Sequence, residues 1–334
     1  MFTALLAPLA LLFVTLAALR RALYRRGVLM AHAVPVPVVV VGNITAGGSG
    51  KTPLVIWLVG WLARQGWRPG VVSRGYGGSA QGSVAVRHDS DPREVGDEPL
   101  LIHVKTGAPV VVDRDRVAAA RTLLATHPDV DIVVADDGLQ HYRLQRDLEI
   151  AVVDAATGLG NGWPIPAGPL REPASRLATV DAVVEVRRGE APAAKSHASA
   201  WRVDYRIGDA WRLASPQERR ALGELPAHAW LAATGIGRPQ GFFDMLAAQG
   251  LRFRPRAFAD HHAFTPDDLP RADAVLMTEK DAVKCLRFAG PDWWAVELNV
   301  VPQPAFVAWL TGRLEQERVR RGAAEKGADG TQRD

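Results

Sequence analysis

The 334-residue sequence predicts an α/β protein: a parallel sheet covered on both faces by helices, with a second, smaller α/β lobe attached through a two-stranded linker. Three observations carry this. Short β-branched runs alternate with amphipathic stretches from residue 36 to residue 186, the pattern of successive βα units. The rhythm breaks at 200–214, where 201–207 and 211–214 flank Gly208-Asp209 as two alternating runs flank a hairpin turn. It resumes from residue 227. Apolar residues make up 48% and charged residues 23%, so a large core is available, and the length suits about two domains.

The elements follow in order. The first nineteen residues carry no charged side chain and are followed at once by Arg20, Arg21, Arg25 and Arg26. Residues 1–26 are therefore expected to form a membrane-associating helix with its arginines on the cytoplasmic side. Pro8 and the borderline length allow it either to span the bilayer or to lie in the interface, and a buried helix of a soluble fold is the competing expectation. A cleaved signal peptide would place its charge before the apolar run instead. The main lobe, 27–199, is expected to contain strands at 36–41, 70–73, 109–112, 131–135, 149–154 and 182–186. A helix over 52–65 carries Leu54, Val55, Leu58, Trp61 and Leu62 on one stripe. Residues 200–215 form the linker. The smaller lobe, 216–321, holds strands at 230–233, 274–277 and around 294–300, with helices from Pro239, from Glu279 and over 305–320. The small, polar stretch 322–334 is expected to be disordered.

One cysteine, Cys285, excludes an internal disulfide and any paired-cysteine metal or redox motif. A net charge of +4 with a pI near 9.4 fits nucleic acid, anionic lipid or a phosphorylated substrate. The arginines beside the apolar leader favour a membrane, and no nucleic-acid partner is expected.

The segment from Gly42 to Pro53 joins the first strand to the first helix, the context of a phosphate-binding loop. Gly47, Gly48, Ser49, Gly50, Lys51 and Thr52 match the GGxGKT form, whereas the strict form would need a glycine at Thr45. Glycines let the backbone close round phosphates, and the helix N-terminus adds partial positive charge. Lys51 would reach the β- and γ-phosphates of a nucleotide, and Thr52 would ligate magnesium (Mg2+). Asp136 and Asp137, closing an apolar run, are the other candidate metal ligands, with the choice between them open.

Taken in order, the motifs resemble the tetraacyldisaccharide 4'-kinases, or lipid A 4'-kinases, over residues 18–310. They are Gly42-Asn43 with 47–53, Ser73-Arg74-Gly75-Tyr76-Gly77, Gly96-Asp97-Glu98-Pro99 and 136–141; then 169–173, 235–239, Asp260-His261-His262 and Thr278-Glu279-Lys280-Asp281. The resemblance implies transfer of the ATP γ-phosphoryl group to the 4'-hydroxyl of a tetraacylated glucosamine disaccharide 1-phosphate, a lipid A precursor. The place would be the cytoplasmic face of a Gram-negative inner membrane. It also implies that Asp97 and His261 act together as the proton-handling pair, with His262 as a rival, and that Arg171 and Glu172 form an active-site pair. Arg74 and Tyr76 would lie on the substrate side. Leu139 stands where the family usually has phenylalanine, and Arg238 where asparagine is common. Arg114 and Arg116 are weaker candidates, expected to be exposed near a helix start; His88, His103, His127 and His141 are expected to be structural or solvated, and Thr278–Asp281 to fix the second lobe. A partition ATPase would carry a lysine where Ala46 stands, and a metal-delivery GTPase would need a cysteine or histidine cluster. Oligomeric state is left open.

Overall fold

A computed structural model describes residues 2–189, 199–226, 228–269 and 274–330. Helix α1 is Phe2–Arg25; then come β1 (Val38–Gly42), α2 (Lys51–Arg64), β2 (Pro69–Ser73), β3 (Val84–Ala85), α3 (Pro92–Val95), α4 (Asp97–Thr106), β4 (Val110–Val112), α5 (Arg116–Thr126), β5 (Ile132–Asp136), β6 (Leu148–Asp154) and β7 (Ala182–Arg188). The chain continues through β8 (Ala200–Arg212), β9 (Ser215–Arg220), β10 (Trp230–Thr234), α6 (Pro239–Ala248), β11 (Phe253–Ala257), β12 (Val275–Thr278), α7 (Glu279–Cys285), β13 (Trp293–Pro302) and α8 (Pro304–Gly330).

One sheet runs through the molecule in the order β11-β10-β12-β13-β8-β7-β6-β1-β5-β2-β4-β3, with β9 paired to β8. β1 lies between β5 and β6, parallel to both, and all five of its residues are buried. Burial on both faces is why β1 reads as an unbroken apolar run rather than an alternating one. Successive side chains leave on opposite faces. Val39 and Val41 pack with Leu54, Leu58 and Leu62 of α2, whereas Val38 and Val40 pack with Val117, Ala120 and Leu123 of α5. Because the chain proceeds to β5 and β2 on one side of β1 and to β6 and β7 on the other, the loop after β1 opens at the crevice where the strand order reverses.

β8 and β13 form a long antiparallel pair between two sets of parallel strands. Here the structure corrects the sequence-based hairpin. Residues 200–212 are one strand, and the turn falls at Leu213-Ala214 before β9. Gly208 is a strand glycine: a Cβ there would lie 2.6 Å from Asn299 Nδ2, and a register irregularity between Val296 and Leu298 sits opposite. Its glycine serves a close approach of side chain to backbone, a use that mimics a turn signal in sequence.

Two further observations concern the ends, the first a difference from the sequence-based expectation and the second a decision against its buried-helix alternative. α8 continues to Gly330, beyond the predicted end at 320 and through most of the stretch expected to be disordered, because Ala323-Ala324-Glu325-Lys326 is a run of strong helix formers; residues 331–334 lie outside the described residues. α1 is not a buried helix. Leu5, Leu9, Leu11, Leu12, Leu16 and Leu19 are each at least 53% exposed. The segment Leu5–Arg25 is long and apolar enough to cross a membrane, with mean hydropathy 1.7. Its base is fixed to the body by Arg21 Nη2 donating to Thr179 Oγ1 at 2.5 Å and by the Tyr24 ring lying 6.0 Å from that of Tyr142.

Candidate active site

The phosphate loop forms at the C-terminal end of β1. Gly47 and Gly50 have φ of 97° and 80°, the left-handed region where glycine is favoured. The turn at Gly50 aims the first amides of α2 into the crevice, with Tyr205 Oη donating to Gly50 O at 2.5 Å beneath it. Lys51 Nζ donates to Asn43 Oδ1 at 3.2 Å and lies 3.3 Å from Asp137 Oδ1. Thr52 is buried at the start of α2.

Asp136 and Asp137 occupy different positions. Asp136 closes β5, is 1% exposed, and accepts from Ser73 Oγ at 2.9 Å. Burial first, then the charges of Glu98 and Asp137, push its pKa up to about 7. Asp137 follows with φ 49°. Burial works to raise its pKa too, but Lys51 and then Arg171 outweigh it and hold the carboxyl below its ordinary value. Asp137 is thus committed as a carboxylate to two cations. At the loop, Asp136 Oδ1, Ser49 Oγ and Asp137 Oδ1 are buried oxygens with no hydrogen-bond partner among the described residues, the last of them 3.3 Å from the Lys51 ammonium. With Thr52 the first two offer the hard oxygen donors that suit Mg2+.

Across the crevice, Asp97 opens α4 and is 5% exposed. His261 Nδ1 lies 3.1 Å from both Asp97 carboxylate oxygens. Asp97 Oδ1 also accepts from Glu98 N at 2.9 Å. His261 has φ 58°, strained for a histidine, and its amide is held at 3.1 Å by Gly235 O. Tyr76 edges onto its ring with centroids 5.1 Å apart. The hydrogen bond to Asp97 raises the His261 pKa. Burial works to raise the Asp97 pKa, but His261 and Lys280 bring it below its ordinary value. His262 points elsewhere: it stacks on Phe258 at 4.7 Å and sets Nε2 3.1 Å from Asp268 Oδ2.

Arg171 reaches the site, with Nη1 donating to Asp137 Oδ2 at 3.3 Å. Its expected partner does not. Glu172 is 3% exposed and turned inward, accepting from Gln140 Nε2 at 2.7 Å and from Tyr142 Oη. Gln140 Nε2 also donates to Asn43 O at 2.9 Å, so Glu172 supports the loop from behind. Tyr76 lines the crevice, whereas Arg74 is exposed outside it. Arg116, expected to be exposed, is buried: it donates to Asp113 O at 2.9 Å, and burial lowers its pKa to about 10. His141 accepts from Arg116 N at 3.2 Å and is kept neutral by burial, with a pKa of about 4.

Four residues of the site, Lys280, Arg238, Arg188 and Asp154, were given no role there from sequence. Lys280 reaches Glu98 Oε1 at 2.8 Å and His261 Nε2 at 3.3 Å. Arg238 donates to Gly48 O at 2.7 Å and pairs with Asp154 Oδ1 at 2.9 Å, and Arg188 pairs with Asp154 as well. The signal for Lys280 was present in the motif Thr278–Asp281. For Arg188 and Asp154 there was none beyond strand ends.

These walls enclose a crevice of about 1970 Å3, lined by the phosphate loop, Asp137 and Arg171 on one side and by Arg238, His261 and Lys280 on the other. A phosphate loop facing a carboxylate–imidazole pair across one such crevice defines a P-loop phosphotransferase. The sequence profile of the Tetraacyldisaccharide-1-P 4'-kinase family matches residues 2–315, and the chain belongs to that family. The tetraacyldisaccharide 4'-kinase of Thiobacillus denitrificans is 66% identical over 313 residues, spanning 93% of this chain and 95% of that protein. That of an Azoarcus species is 54% identical over 294 residues, spanning 87% and 85%. The crystal structure of Aquifex aeolicus LpxK in complex with ATP superimposes with a TM-score of 0.80 at 26% identity, over 95% of this chain and 99% of that one.

Proposed function

We propose that this chain transfers the γ-phosphoryl group of ATP to the 4'-hydroxyl of tetraacyldisaccharide 1-phosphate, giving the 1,4'-bisphosphate and ADP. The observation that carries the reading is the Asp97–His261 pair facing the phosphate loop across one crevice, at 3.1 Å from Nδ1 to both carboxylate oxygens.

The acceptor oxygen bonds to the γ-phosphorus as the bond from that phosphorus to the β,γ-bridging oxygen breaks. The hydroxyl proton passes to the Asp97 carboxylate, and ADP leaves with the bridging oxygen. His261 orients Asp97 through Nδ1–H. Lys51, the α2 amides and Arg171 bind the phosphates and neutralise the charge that spreads over the transferring oxygens, the main protein contribution in such reactions. Thr52, Ser49 and Asp136 would hold Mg2+, which when bound supplies charge neutralisation at the β- and γ-phosphates. Tyr76 offers a ring against which the sugar can pack. The strand sets on either side of β8 and β13 work as two lobes meeting over the loop, with that antiparallel pair as their joint. The exposed leucines of α1, with its arginines, support a position of the crevice at the inner-membrane surface, the medium of a tetraacylated acceptor.

Asp97→Asn tests the proposal. Lipid phosphorylation is expected to fall by about 10²-fold or more, while ATP affinity, read by equilibrium nucleotide binding, stays close to the parent value. A variant that retains parental transfer would remove Asp97 from the reaction.

A further inference from the structure

We propose that Lys280 is a positioning residue for this phosphoryl transfer: its ammonium, anchored on Glu98, donates to His261 Nε2 and holds the imidazole as the neutral Nδ1–H tautomer, which leaves Asp97 as the base. The inference rests on the kinase function proposed above and assigns the division of labour within its proton-handling pair.

The proton count on each ring nitrogen follows from its partners. A carboxylate only accepts, so His261 Nδ1, 3.1 Å from both Asp97 oxygens, must carry a hydrogen. An ammonium only donates, so Lys280 Nζ at 3.3 Å from Nε2 makes a hydrogen bond only if Nε2 keeps its lone pair. Asp260 Oδ1 would favour the opposite arrangement, but at 3.8 Å from Nε2 it is beyond hydrogen-bond reach. The shorter contact decides. With Nε2 occupied, His261 cannot take the acceptor's proton there, and the open acceptor in the pair is Asp97.

Lys280 is itself built in. Asp281, fully buried, accepts from Thr234 Oγ1 at 2.8 Å and from Gly235 N at 3.1 Å, tying the start of α7 to the loop whose Gly235 O holds the His261 amide. Lys280 then projects to Glu98 at 2.8 Å. A cation in the first turn of a helix opposes the helix dipole, so the stability of α7 does not explain it. The charged groups facing the pair are Glu98 on α4, Asp260 on the His261 loop, and Lys280 and Lys284 on α7, the last 3.7 Å from Asp97 Oδ2; Tyr76 closes the remaining side. Removing the Lys280 cation therefore makes both the Asp97 carboxylate and the neutral imidazole harder to keep as pH falls.

Lys280→Met in the full chain is expected to lower kcat for lipid phosphorylation by about 10- to 100-fold, with KM for ATP within a factor of about two of the parent. The acid limb of its kcat–pH profile should move to higher pH, and Lys280→Arg should move the limb back and recover part of the rate. Nitrogen NMR of the parent protein, with His261 assigned by its loss in His261→Gln, should show the neutral Nδ1–H tautomer. A Lys280→Met profile that superimposes on the parent's, a rate loss with an unmoved limb, or an Nε2–H tautomer in the parent would each overturn the proposal. The tautomer measurement needs no turnover and no Lys280 variant. A parent that transfers nothing to lipid would instead count against the kinase function.

Discussion

Lys51 stands between two acceptors, Asn43 Oδ1 and Asp137 Oδ1, that hold its ammonium at the mouth of the loop in the place where phosphate oxygens would take over. Lys51→Ala should leave the fold nearly unchanged and lower turnover by about 10²-fold or more, roughly 3 kcal/mol of barrier; parental turnover from the folded variant would contradict the loop assignment. Asp97→Ala and His261→Ala should behave as one unit, the double variant being little slower than the poorer single one, since residues sharing one task are strongly non-additive. Fully additive losses would separate them, and a damaging His262→Ala beside a silent His261→Ala would contradict the geometry that turns His262 towards Asp268. Asp136 gives a stability prediction of definite sign. Its folded pKa is pushed up to about 7, so the folded state loses stability as pH rises from the ordinary carboxylate value of about 3.9 through that range. Asp136→Asn should therefore raise Tm by about 2–4 °C at pH ~8 without nucleotide or Mg2+, with little effect near pH ~4, while lowering activity. A Tm difference that does not change with pH would contradict it. Lys51 and Thr52 stand in a short motif whose spacing points to phosphate chemistry, whereas Asp97 and His261 were singled out only by the family resemblance, and the fold brings those two together. Glu172 and Lys280 show the limit: adjacent residues on a loop or a helix start point to different sides, and only the packing of Gln140 and Tyr142 on one, and of Glu98 on the other, reveals which way each faces.

At the scale of elements, the strands of the parallel sheet were legible because burial on both faces leaves a run of β-branched residues, and α2 because its stripe recurs at helical spacing. β8 was not. Gly208-Asp209 carries turn chemistry, and only the close approach of Asn299 shows why the chain runs straight through it. α1 was legible as an apolar helix, but whether it is buried depends on what packs against it. In the structure Leu9, Leu12 and Leu16 are 57%, 57% and 56% exposed, while the base of the helix is tied down by Arg21 and Tyr24. Replacing those three leucines together by serine should leave Tm and ATP affinity near the parental values. It should release much of the protein from vesicles containing anionic lipid in a flotation assay and raise the apparent KM for the lipid acceptor. Undiminished flotation would place the membrane contact on another surface.

On the scale of the whole molecule, one sheet carries both walls of the crevice. The strands around β1 bring the phosphate loop, Asp136 and Asp137, and the strands beyond β13 bring His261, Lys280 and Arg238. Arg238 already touches Gly48 O at 2.7 Å across the gap, so the second set of strands is seated over the loop that binds phosphate. Transfer to the lipid hydroxyl is proposed from that arrangement, with the Gly47–Thr52 loop on one wall and the Asp97–His261 pair on the other. The direct measurement is the fate of the γ-phosphate of radiolabelled ATP, followed over time with tetraacyldisaccharide 1-phosphate present or absent in mixed micelles. Label should appear in the lipid as a second phosphate monoester at the 4' position, with ADP formed in equal amount and inorganic phosphate near background until lipid is added. Label accumulating in inorganic phosphate at the same rate with and without the lipid would contradict the assignment.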